Sequence, residues 1–180
     1  MNSGDFVIVH LLRGEAGKYH EDLVKTIGPK FNESYLIENP RPSHFTLKAP
    51  FWADDIAIVE DLLEEFVKTQ KSQSISVGGF GNFRDKVVFL NSEFSEDAIK
   101  IQKDLIEELR KIRGFPLDRH DLAFTPHLTV GYGNTPESFK GIVEYLNSLP
   151  EKKFETKFDN ITLLKKNKNV WEVYKIYEMK

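Results

Sequence analysis

The chain has 180 residues, a length that suits one domain with a sizeable core, and its 40% hydrophobic and 29% charged residues are typical of a soluble globular protein. The formal net charge of −3 and the sequence pI of about 6.0 exclude the strongly basic class of protein that binds nucleic acid through bulk electrostatics, so any contact with a polyanion must be local. Cysteine is absent, which excludes disulfides, thiolate nucleophiles and cysteine-ligated zinc.

The amino-terminal stretch MNSGDFVIVHLL contains only a short apolar run, and no basic segment precedes it. Neither a signal peptide nor a membrane span is predicted from such a pattern. Together with the lack of cysteine, this predicts a cytoplasmic protein that does not associate with membranes.

The first part of the chain predicts strands and helices in alternation. An apolar, β-branched run at 6–12 predicts a strand, and a helical spacing at 20–30 predicts a helix that stops at its Gly-Pro pair. A second strand is expected at 44–51. The segment 54–70 predicts an amphipathic helix behind an aspartate cap.

The same alternation continues after residue 70. Two strands are expected at 75–83 and 86–92, and 95–113 predicts a helix that opens with Ser95 and closes with basic residues and a glycine. The remaining predicted elements are a strand at 127–132, a helix from about 136 to 148, and strands near 154–165 and 169–178.

This order of elements repeats. Two βαβαβ-type units, at about 6–83 and 86–166, are followed by one extra strand, and each unit has a histidine in its second strand. A duplicated layout of this kind usually gives two lobes related by a pseudo-two-fold axis, with a groove between them. We therefore expect one bilobal domain over 1–180, with its chemistry in that groove.

Each unit contains a His-x-Thr motif in a predicted strand, in HFTLKAPF from His44 and in HLTVGYG from His127. Residues i and i+2 of a strand share a face, so His44 and Thr46 point one way, and His127 and Thr129 do the same in their own strand. The intervening apolar residues point to the opposite face. If the lobes face each other, two imidazoles and two hydroxyls converge.

Such a set suits phosphodiester transfer through a 2′-hydroxyl or hydrolysis of a 2′,3′-cyclic phosphate. Both reactions need one base and one acid, and histidine serves in either role near neutrality. Thr46 and Thr129 would donate hydrogen bonds to the non-bridging phosphate oxygens. A single histidine in a strand is more often structural, whereas two copies in matched settings favour the functional interpretation.

The two motifs resemble the paired His-x-Thr-hydrophobic motifs of the 2H phosphoesterase superfamily, which includes bacterial RNA 2′,5′-ligase-like proteins and cyclic phosphodiesterases. The resemblance covers the whole chain through the order of its elements. It implies an α+β fold with two pseudo-symmetric lobes, each a mainly antiparallel sheet flanked by helices, with the motifs facing each other across a central groove.

The resemblance also implies a function. It implies metal-independent chemistry without a cofactor on 2′,3′-cyclic phosphates or 2′,5′ linkages, with a nucleotide or an RNA end as substrate. His44 and His127 would be the acid/base pair and Thr46 and Thr129 the phosphate-binding hydroxyls, while the assignment of base and acid stays open. A monomer is expected, because both motifs lie on one chain.

Three further residues are candidates for substrate binding. Lys48 lies four residues after His44, so strand alternation predicts that it shares the histidine's face and binds phosphate. The matching position in the second motif is Gly131, which would leave room for a base or ribose. Phe51 and Tyr132 follow the motifs and are candidates for stacking on a base. A solvated lysine and two core aromatics are the alternatives.

Other polar residues carry a weaker signal. Four loop residues beside predicted strand ends are candidates for contact with the substrate, although charged loop residues are usually only solvated: Arg41, Arg84, Arg119 and His120. We expect His10, on the first strand, and His20, at the start of the first helix, to be structural or surface residues.

Two other function classes compete with this interpretation. A metallohydrolase would use the histidines as ligands, but each is followed by threonine and no His-Glu-x-x-His or aspartate-rich cluster is present. A non-catalytic module that binds RNA ends or nucleotides is the second alternative. The complete His and Thr set in both motifs favours an enzyme over pure binding.

Overall fold

The computed structural model describes residues 2–180, which form eight strands and six helices. In chain order the elements are β1 (Gly4–Leu11), α1 (Gly14–Lys30), α2 (Tyr35–Glu38), β2 (His44–Ala53), α3 (Ala57–Lys68), β3 (Gln73–Phe83), β4 (Val87–Phe94), α4 (Glu96–Arg110), α5 (Arg119–Leu122), β5 (Leu128–Tyr132), α6 (Pro136–Ser148), β6 (Lys153–Phe158), β7 (Asn160–Asn167) and β8 (Val170–Glu178).

The strands form two four-stranded sheets in which every neighbouring pair is antiparallel. Sheet A has the order β2-β1-β7-β8 and sheet B has the order β5-β4-β3-β6. The predicted α+β class with two antiparallel sheets is therefore confirmed. Strands β2 and β5, which carry the two motifs, are edge strands at corresponding positions of the two sheets.

The two sheets do not coincide with the two halves of the sequence. Strand β3 follows the first motif along the chain but pairs with β4 and β6 in sheet B. Strand β7 follows the second motif but pairs with β1 and β8 in sheet A. The chain thus exchanges one strand between its halves, so each lobe contains segments from both.

The predicted strand at 154–165 is two strands that belong to different sheets. Along β6 exposed and half-buried side chains alternate, whereas the first five residues of β7 are all buried. Between the strands, the Asn160 side chain accepts from the Leu11 N–H and donates to the Leu11 carbonyl, at 3.0 and 3.1 Å. These bonds fasten the start of β7 to the end of β1.

Helix α1 begins at Gly14, earlier than the predicted start at residue 20, and Pro29 lies inside its last turn. The sequence pattern underestimates this helix because its first turns bury only small residues, Ala16 and Gly17. Although α1 precedes a strand of sheet A, it packs on β5 of sheet B. The short helices α2 and α5 have four residues each, too few for a periodicity to be read.

The other helix predictions can be checked at their caps. Helix α4 begins as expected, because the Ser95 hydroxyl accepts from the Ala98 N–H at 3.1 Å. Helix α3 has Ile56 rather than an aspartate at its N-cap, and the Asp55 carboxylate instead accepts from the Ala57 N–H at 3.2 Å.

One large core joins the two lobes. Phe94 of β4 packs edge-on against Phe45 of β2 and tilted against Phe158 of β6, with ring centroids 5.0 and 5.7 Å apart. A smaller apolar cluster on the opposite face of sheet A includes Val9 and Trp171. Within residues 2–180, the helices are all too short or too polar to span a bilayer.

Candidate active site

A pocket with a volume of about 160 Å³ lies between the two motif strands. Helix α1 and the loop before β2 complete its wall. Its lining residues are His20, Val24, Leu36, Arg41, His44, Thr46, His127, Thr129 and Tyr132. The four residues of the two His-x-Thr motifs therefore line one pocket.

His44 is held in one tautomer by the chain that leads into β2. Its Nδ1 lies 2.7 Å from the Pro42 carbonyl oxygen. A carbonyl can only accept, so Nδ1 carries the hydrogen and Nε2 keeps a free lone pair. Burial lowers the pKa of His44 to about 4, against the opposing effect of the Pro42 bond and with help from the positive charge of Arg41.

His127 has the same local geometry. Its Nδ1 lies 2.7 Å from the Thr125 carbonyl oxygen, again two residues earlier in the chain. Phe83 and Phe89 contact the ring at steep interplanar angles, with centroids 5.0 and 5.4 Å away. Burial lowers the pKa of His127, and the Thr125 bond opposes that effect.

The motif strands alternate as predicted up to the threonines. Phe45 and Leu47 are buried in the core, as are Leu128 and Val130 in the second strand. The threonines pair across the ladder with residues of the neighbouring strands, Thr46 with Val9 and Thr129 with Phe89. Each threonine lines the same pocket as its motif histidine.

Beyond each threonine the alternation fails, because both strands contain an irregularity at the same place. In β2 the register shifts by one residue, so Lys48 lies opposite Ile8 and points into the core. In β5 the register shifts before Gly131, which lies opposite Val88 of the core. The expectation that Lys48 shares the face of His44 is therefore wrong.

Lys48 takes part in a buried ion pair instead. Its Nζ lies 3.1 Å from Asp121 Oδ2, and both side chains are 1% exposed. The same ammonium donates to the Ala49 carbonyl at 2.7 Å. A lysine whose charge is paired inside the core does not supply a cation to the pocket.

The groups around this ion pair also form hydrogen bonds with the backbone N–H and C=O groups of β2 at the register shift. Asp121 Oδ1 accepts from the Ala49 N–H at 2.6 Å, and its other oxygen accepts from the Asp118 N–H at 2.6 Å. The Gln102 amide donates to the Leu47 and Asp121 carbonyls at 2.9 and 3.0 Å. Helices α4 and α5 thereby fix the strand immediately after the first motif.

Two of the other expectations about the motif flanks are also corrected. A Cβ at Gly131 would lie 2.9 Å from Ile27 Cγ2, so the missing side chain makes room for α1 and not for a ligand. Phe51 is 5% exposed and packs against Phe6 and Phe115, so it faces the core and not a base. Tyr132 does line the pocket, and its ring meets the Tyr35 ring edge-on at 5.2 Å.

Two residues that line the pocket, His20 and Arg41, are only weak candidates from the sequence. His20 is 8% exposed, and its Nε2 lies 2.8 Å from the Thr129 carbonyl, which ties α1 to the second motif. Its Nδ1 has no protein partner within residues 2–180. Arg41 lies in the loop before β2, where a charged residue is usually only solvated. The sequence pattern starts α1 at residue 20 and so places His20 at the exposed end of the helix. In the structure α1 starts at Gly14, and His20 lies within the helix.

The remaining weak candidates lie elsewhere. None of Arg84, Arg119 and His120 belongs to the residues that line the pocket. His10 is 1% exposed in the core, where it stacks on Phe45 and meets the edge of Phe158, as expected for a structural histidine. Within residues 2–180 no group of three or more His, Asp or Glu side chains is placed to hold a metal ion.

The two motifs thus offer two Nε2 lone pairs and two hydroxyls to the pocket, and Arg41 adds a guanidinium, while no carboxylate is among the lining residues within 2–180. This set can exchange protons at two points and donate hydrogen bonds to an anion between them.

Comparison with known proteins gives matches over most of the chain. The model of the 2′-5′ RNA ligase superfamily matches residues 22–170. A protein of Geobacillus sp. (strain WCH70), provisionally named a phosphoesterase, is 25% identical over 163 residues, which cover 87% of this chain and 88% of that protein.

Solved structures show the same fold. TT0787 of Thermus thermophilus matches with a TM-score of 0.60 at 16% identity, over 97% of both chains. Escherichia coli LigT complexed with 3′-AMP matches with a TM-score of 0.61 at 14% identity, and LigT complexed with NADP+ with 0.60 at 15%, each over 99% of both chains. These identities are low, and the likeness establishes the fold alone.

Proposed function

Because the chain belongs to the 2′-5′ RNA ligase superfamily, the 2H phosphoesterases, we propose that it is a metal-independent phosphoesterase that acts on 2′,3′-cyclic phosphates or 2′,5′-phosphodiester linkages of nucleotides or RNA ends. His44 and His127 are its general acid/base pair, and Thr46 and Thr129 bind the phosphate.

The observation that carries this proposal is the matched state of the two histidines. Each donates its Nδ1 hydrogen to a carbonyl two residues earlier at 2.7 Å. Both Nε2 atoms are therefore the free ring nitrogens of the one pocket that the two histidines share. A purely structural histidine would use both ring nitrogens, or bury its free nitrogen in the core as His10 does.

In the hydrolysis of a 2′,3′-cyclic phosphate, one Nε2 removes a proton from water as the water oxygen bonds to phosphorus. The bond between phosphorus and O3′ breaks, and the second histidine, protonated at Nε2, gives its proton to O3′. The product is a 2′-phosphate. The threonine hydroxyls donate to the non-bridging oxygens, which carry the charge of the transition state.

The difference between the two histidines favours His44 as the base in this direction. Burial lowers its pKa to about 4, so it is neutral and ready to accept a proton at pH 7. His127 is also shifted downward, and the negative charge of a bound phosphate raises the pKa of both rings. In the reverse, ligating direction the roles exchange.

Two features of relatives support a nucleotide-like substrate. The Geobacillus relative is named for phosphoesterase activity, and LigT has been crystallised with 3′-AMP and with NADP+. The pocket itself has the liquid volume of about five water molecules, which suits a phosphate with the edge of its ribose. The base would then lie at the rim, near Tyr132.

The test is an assay with 2′,3′-cyclic AMP in the presence of EDTA, in which phosphorus NMR follows the position of the product phosphate. We expect a 2′-phosphate product from the wild-type protein and none from His44→Ala. The control is Arg113→Ala, which removes an exposed side chain outside the pocket and leaves turnover unchanged. Folded wild-type protein that binds 2′-AMP without turning over cyclic AMP, cyclic GMP or a cyclic-phosphate RNA end would instead establish a binding module.

A further inference from the structure

Arg41 is the one permanently charged side chain among the residues that line the pocket. It lies in the loop that joins α2 to β2, three residues before His44. No aspartate or glutamate lines the same pocket. The expected cation of the first motif, Lys48, is buried against Asp121 and is not available.

The contacts of Arg41 leave most of its guanidinium uncommitted. Its Nε donates to the Asn39 carbonyl at 3.4 Å, and its Cζ lies 5.7 Å from the centre of the Tyr35 ring. Within residues 2–180 no carboxylate forms an ion pair with it. The contrast is Arg13, whose guanidinium is held by Asp159 and Glu178 at 2.8 to 2.9 Å.

Tyr35 and Tyr132 support this side of the pocket. Their rings meet edge-on at 5.2 Å, and Arg41 lies over the first of them. A guanidinium over an aromatic ring keeps its plane and its outward N–H groups oriented. The positive charge of Arg41 acts on the pocket, because it is one cause of the lowered pKa of His44.

We propose that Arg41 is a substrate-binding residue that donates two N–H groups of its guanidinium to the non-bridging oxygens of the substrate phosphate. The planar fork of a guanidinium matches two phosphate oxygens, and such bidentate bonds are among the strongest in proteins. The identity of the substrate in this proposal rests on the proposed function. The anion site itself does not, because it is inferred from the position of Arg41 and the lining of the pocket.

The structure also explains why the cation comes from this loop. The register shift in β2 turns Lys48, the charged residue that follows the first motif, into the core and away from the pocket. The loop before the motif reaches the same pocket from the other side. Arg41 thus supplies the phosphate-binding cation that strand alternation predicts at Lys48.

The first experiment measures the binding of inorganic phosphate to the free protein, followed through the NMR signals of the His44 and His127 rings. We expect Arg41→Gln to raise the dissociation constant at least tenfold and Arg41→Lys to fall between it and the wild type, since a lysine keeps the charge but not the fork. Arg113→Gln removes an exposed arginine outside the pocket and should bind phosphate as the wild type does.

The second measurement is kcat/KM for the best cyclic nucleotide. Arg41→Gln should lower it about a hundredfold, whereas Arg113→Gln should not. In the same variant the pKa of His44 should rise, because a neighbouring positive charge is lost. Thermal unfolding of each variant reports whether the fold is intact.

The outcomes separate this inference from the proposed function. Phosphate binding that depends on Arg41, in a protein without turnover, supports the anion site and overturns the enzyme. Turnover by a folded Arg41→Gln protein at the wild-type rate, with unchanged phosphate binding, overturns the role of Arg41 and leaves the two-histidine mechanism standing. A wild-type protein that binds no phosphate overturns the anion site as well.

Discussion

At the scale of single residues, the same local hydrogen bond fixes the tautomer of both candidate catalytic histidines. A carbonyl two residues before each histidine accepts the Nδ1 hydrogen, at the same distance of 2.7 Å in both motifs. The motif therefore fixes its own tautomer without help from a distant side chain. This explains how two imidazoles from different sheets present the same nitrogen to one pocket.

Removing either histidine tests whether they act together. We expect His44→Ala and His127→Ala each to lower kcat about 10²- to 10⁴-fold, because each loses one proton transfer. The double variant should be hardly slower than either single variant if the pair acts as a unit. Rates are compared by single-turnover kinetics, and additive losses in the double variant would contradict a shared mechanism.

The pH dependence of kcat/KM follows from the shifted histidines. Activity rises as His44, with its pKa lowered to about 4, loses its proton, and falls as His127, whose pKa lies below its usual 6.5, loses the proton it must donate. The groups that act on this pair are Arg41, His20 and His120. We therefore expect a bell-shaped profile with its maximum below pH 6.5.

A rate profile recorded between pH 4 and 8 with a non-titrating cyclic phosphate checks this expectation. Arg41→Gln should move the acidic limb to higher pH, since the loss of a positive charge raises the pKa of His44. A profile that is flat from pH 5 to 8 would argue against both acid/base roles.

Sequence alone could predict the motif but not its surroundings. The spacing of two residues in a strand places His44 and Thr46 on one face, and the structure agrees. Arg41 and His20 reach the pocket from a loop and a helix, and no periodicity indicates where a loop returns to a strand. Tyr132 lines the pocket as expected, although its role in stacking stays a prediction.

At the scale of elements, the register shift after each motif decides which residues face the pocket. A strand pattern assumes regular alternation, and a one-residue irregularity reverses the face of the residues beyond it until a further shift, such as the second one in β2, restores the pattern. Lys48 shows the effect. Regular alternation predicts that its side chain faces the pocket, whereas in the structure it is 1% exposed. The buried acceptor that permits this, Asp121, is 73 residues further along the chain, beyond the reach of a local pattern.

The Lys48–Asp121 pair makes a stability prediction. Asp121→Asn leaves a buried ammonium without its partner, and we expect the free energy of unfolding to fall by about 3 to 5 kcal/mol. The double variant Lys48→Met, Asp121→Asn should recover part of this loss, because the uncompensated charge is gone. Urea unfolding of the single and double variants measures the coupling.

The matched control is Asp22→Asn, which breaks an exposed ion pair with Lys18 and should leave the urea midpoint nearly unchanged. If Asp121→Asn unfolds at the same midpoint as Asp22→Asn, the buried pair does not hold β2, and the account of the register shift fails.

The element boundaries show the same limit of sequence reasoning. The run at 154–165 reads as one strand because phenylalanine, threonine and isoleucine, which favour strands, recur along it, yet its two parts pair in different sheets. The change in burial pattern from alternating to continuous is visible in the sequence only after the fold is known. Helices with a broad apolar face, such as α3 and α4, were predictable because periodicity extends over several turns.

At the scale of the whole molecule, the lowered pKa values of three histidines make the stability of the fold depend on pH. Burial lowers the pKa of His10 and His44 to about 4 and lowers that of His20 as well. A group whose folded pKa lies below its unfolded value of 6.5 binds more protons when unfolded, so stability is full above pH 6.5 and is lost as the pH falls toward 4. The fold should therefore weaken in mild acid.

His10 allows a quantitative test, because it lies in the core away from the pocket. Its protonation should cost about 2 kcal/mol of unfolding free energy between pH 7.5 and pH 5. His10→Phe should remove that part of the pH dependence, whatever constant effect it has on stability. His120→Phe keeps His10, His20 and His44 and should retain the wild-type difference in unfolding free energy between the two pH values.

The exchange of strands between the halves has a consequence for synthesis on the ribosome. The strands of sheet B, β3 to β6, are continuous along the chain from Gln73 to Phe158, so they can pair as soon as they emerge. Sheet A pairs β1 and β2, which precede sheet B along the chain, with β7 and β8, which follow it. The edge of β1 that pairs with β7 therefore stays open until all four strands of sheet B have been made, and the lobe that carries His44 closes after the lobe that carries His127.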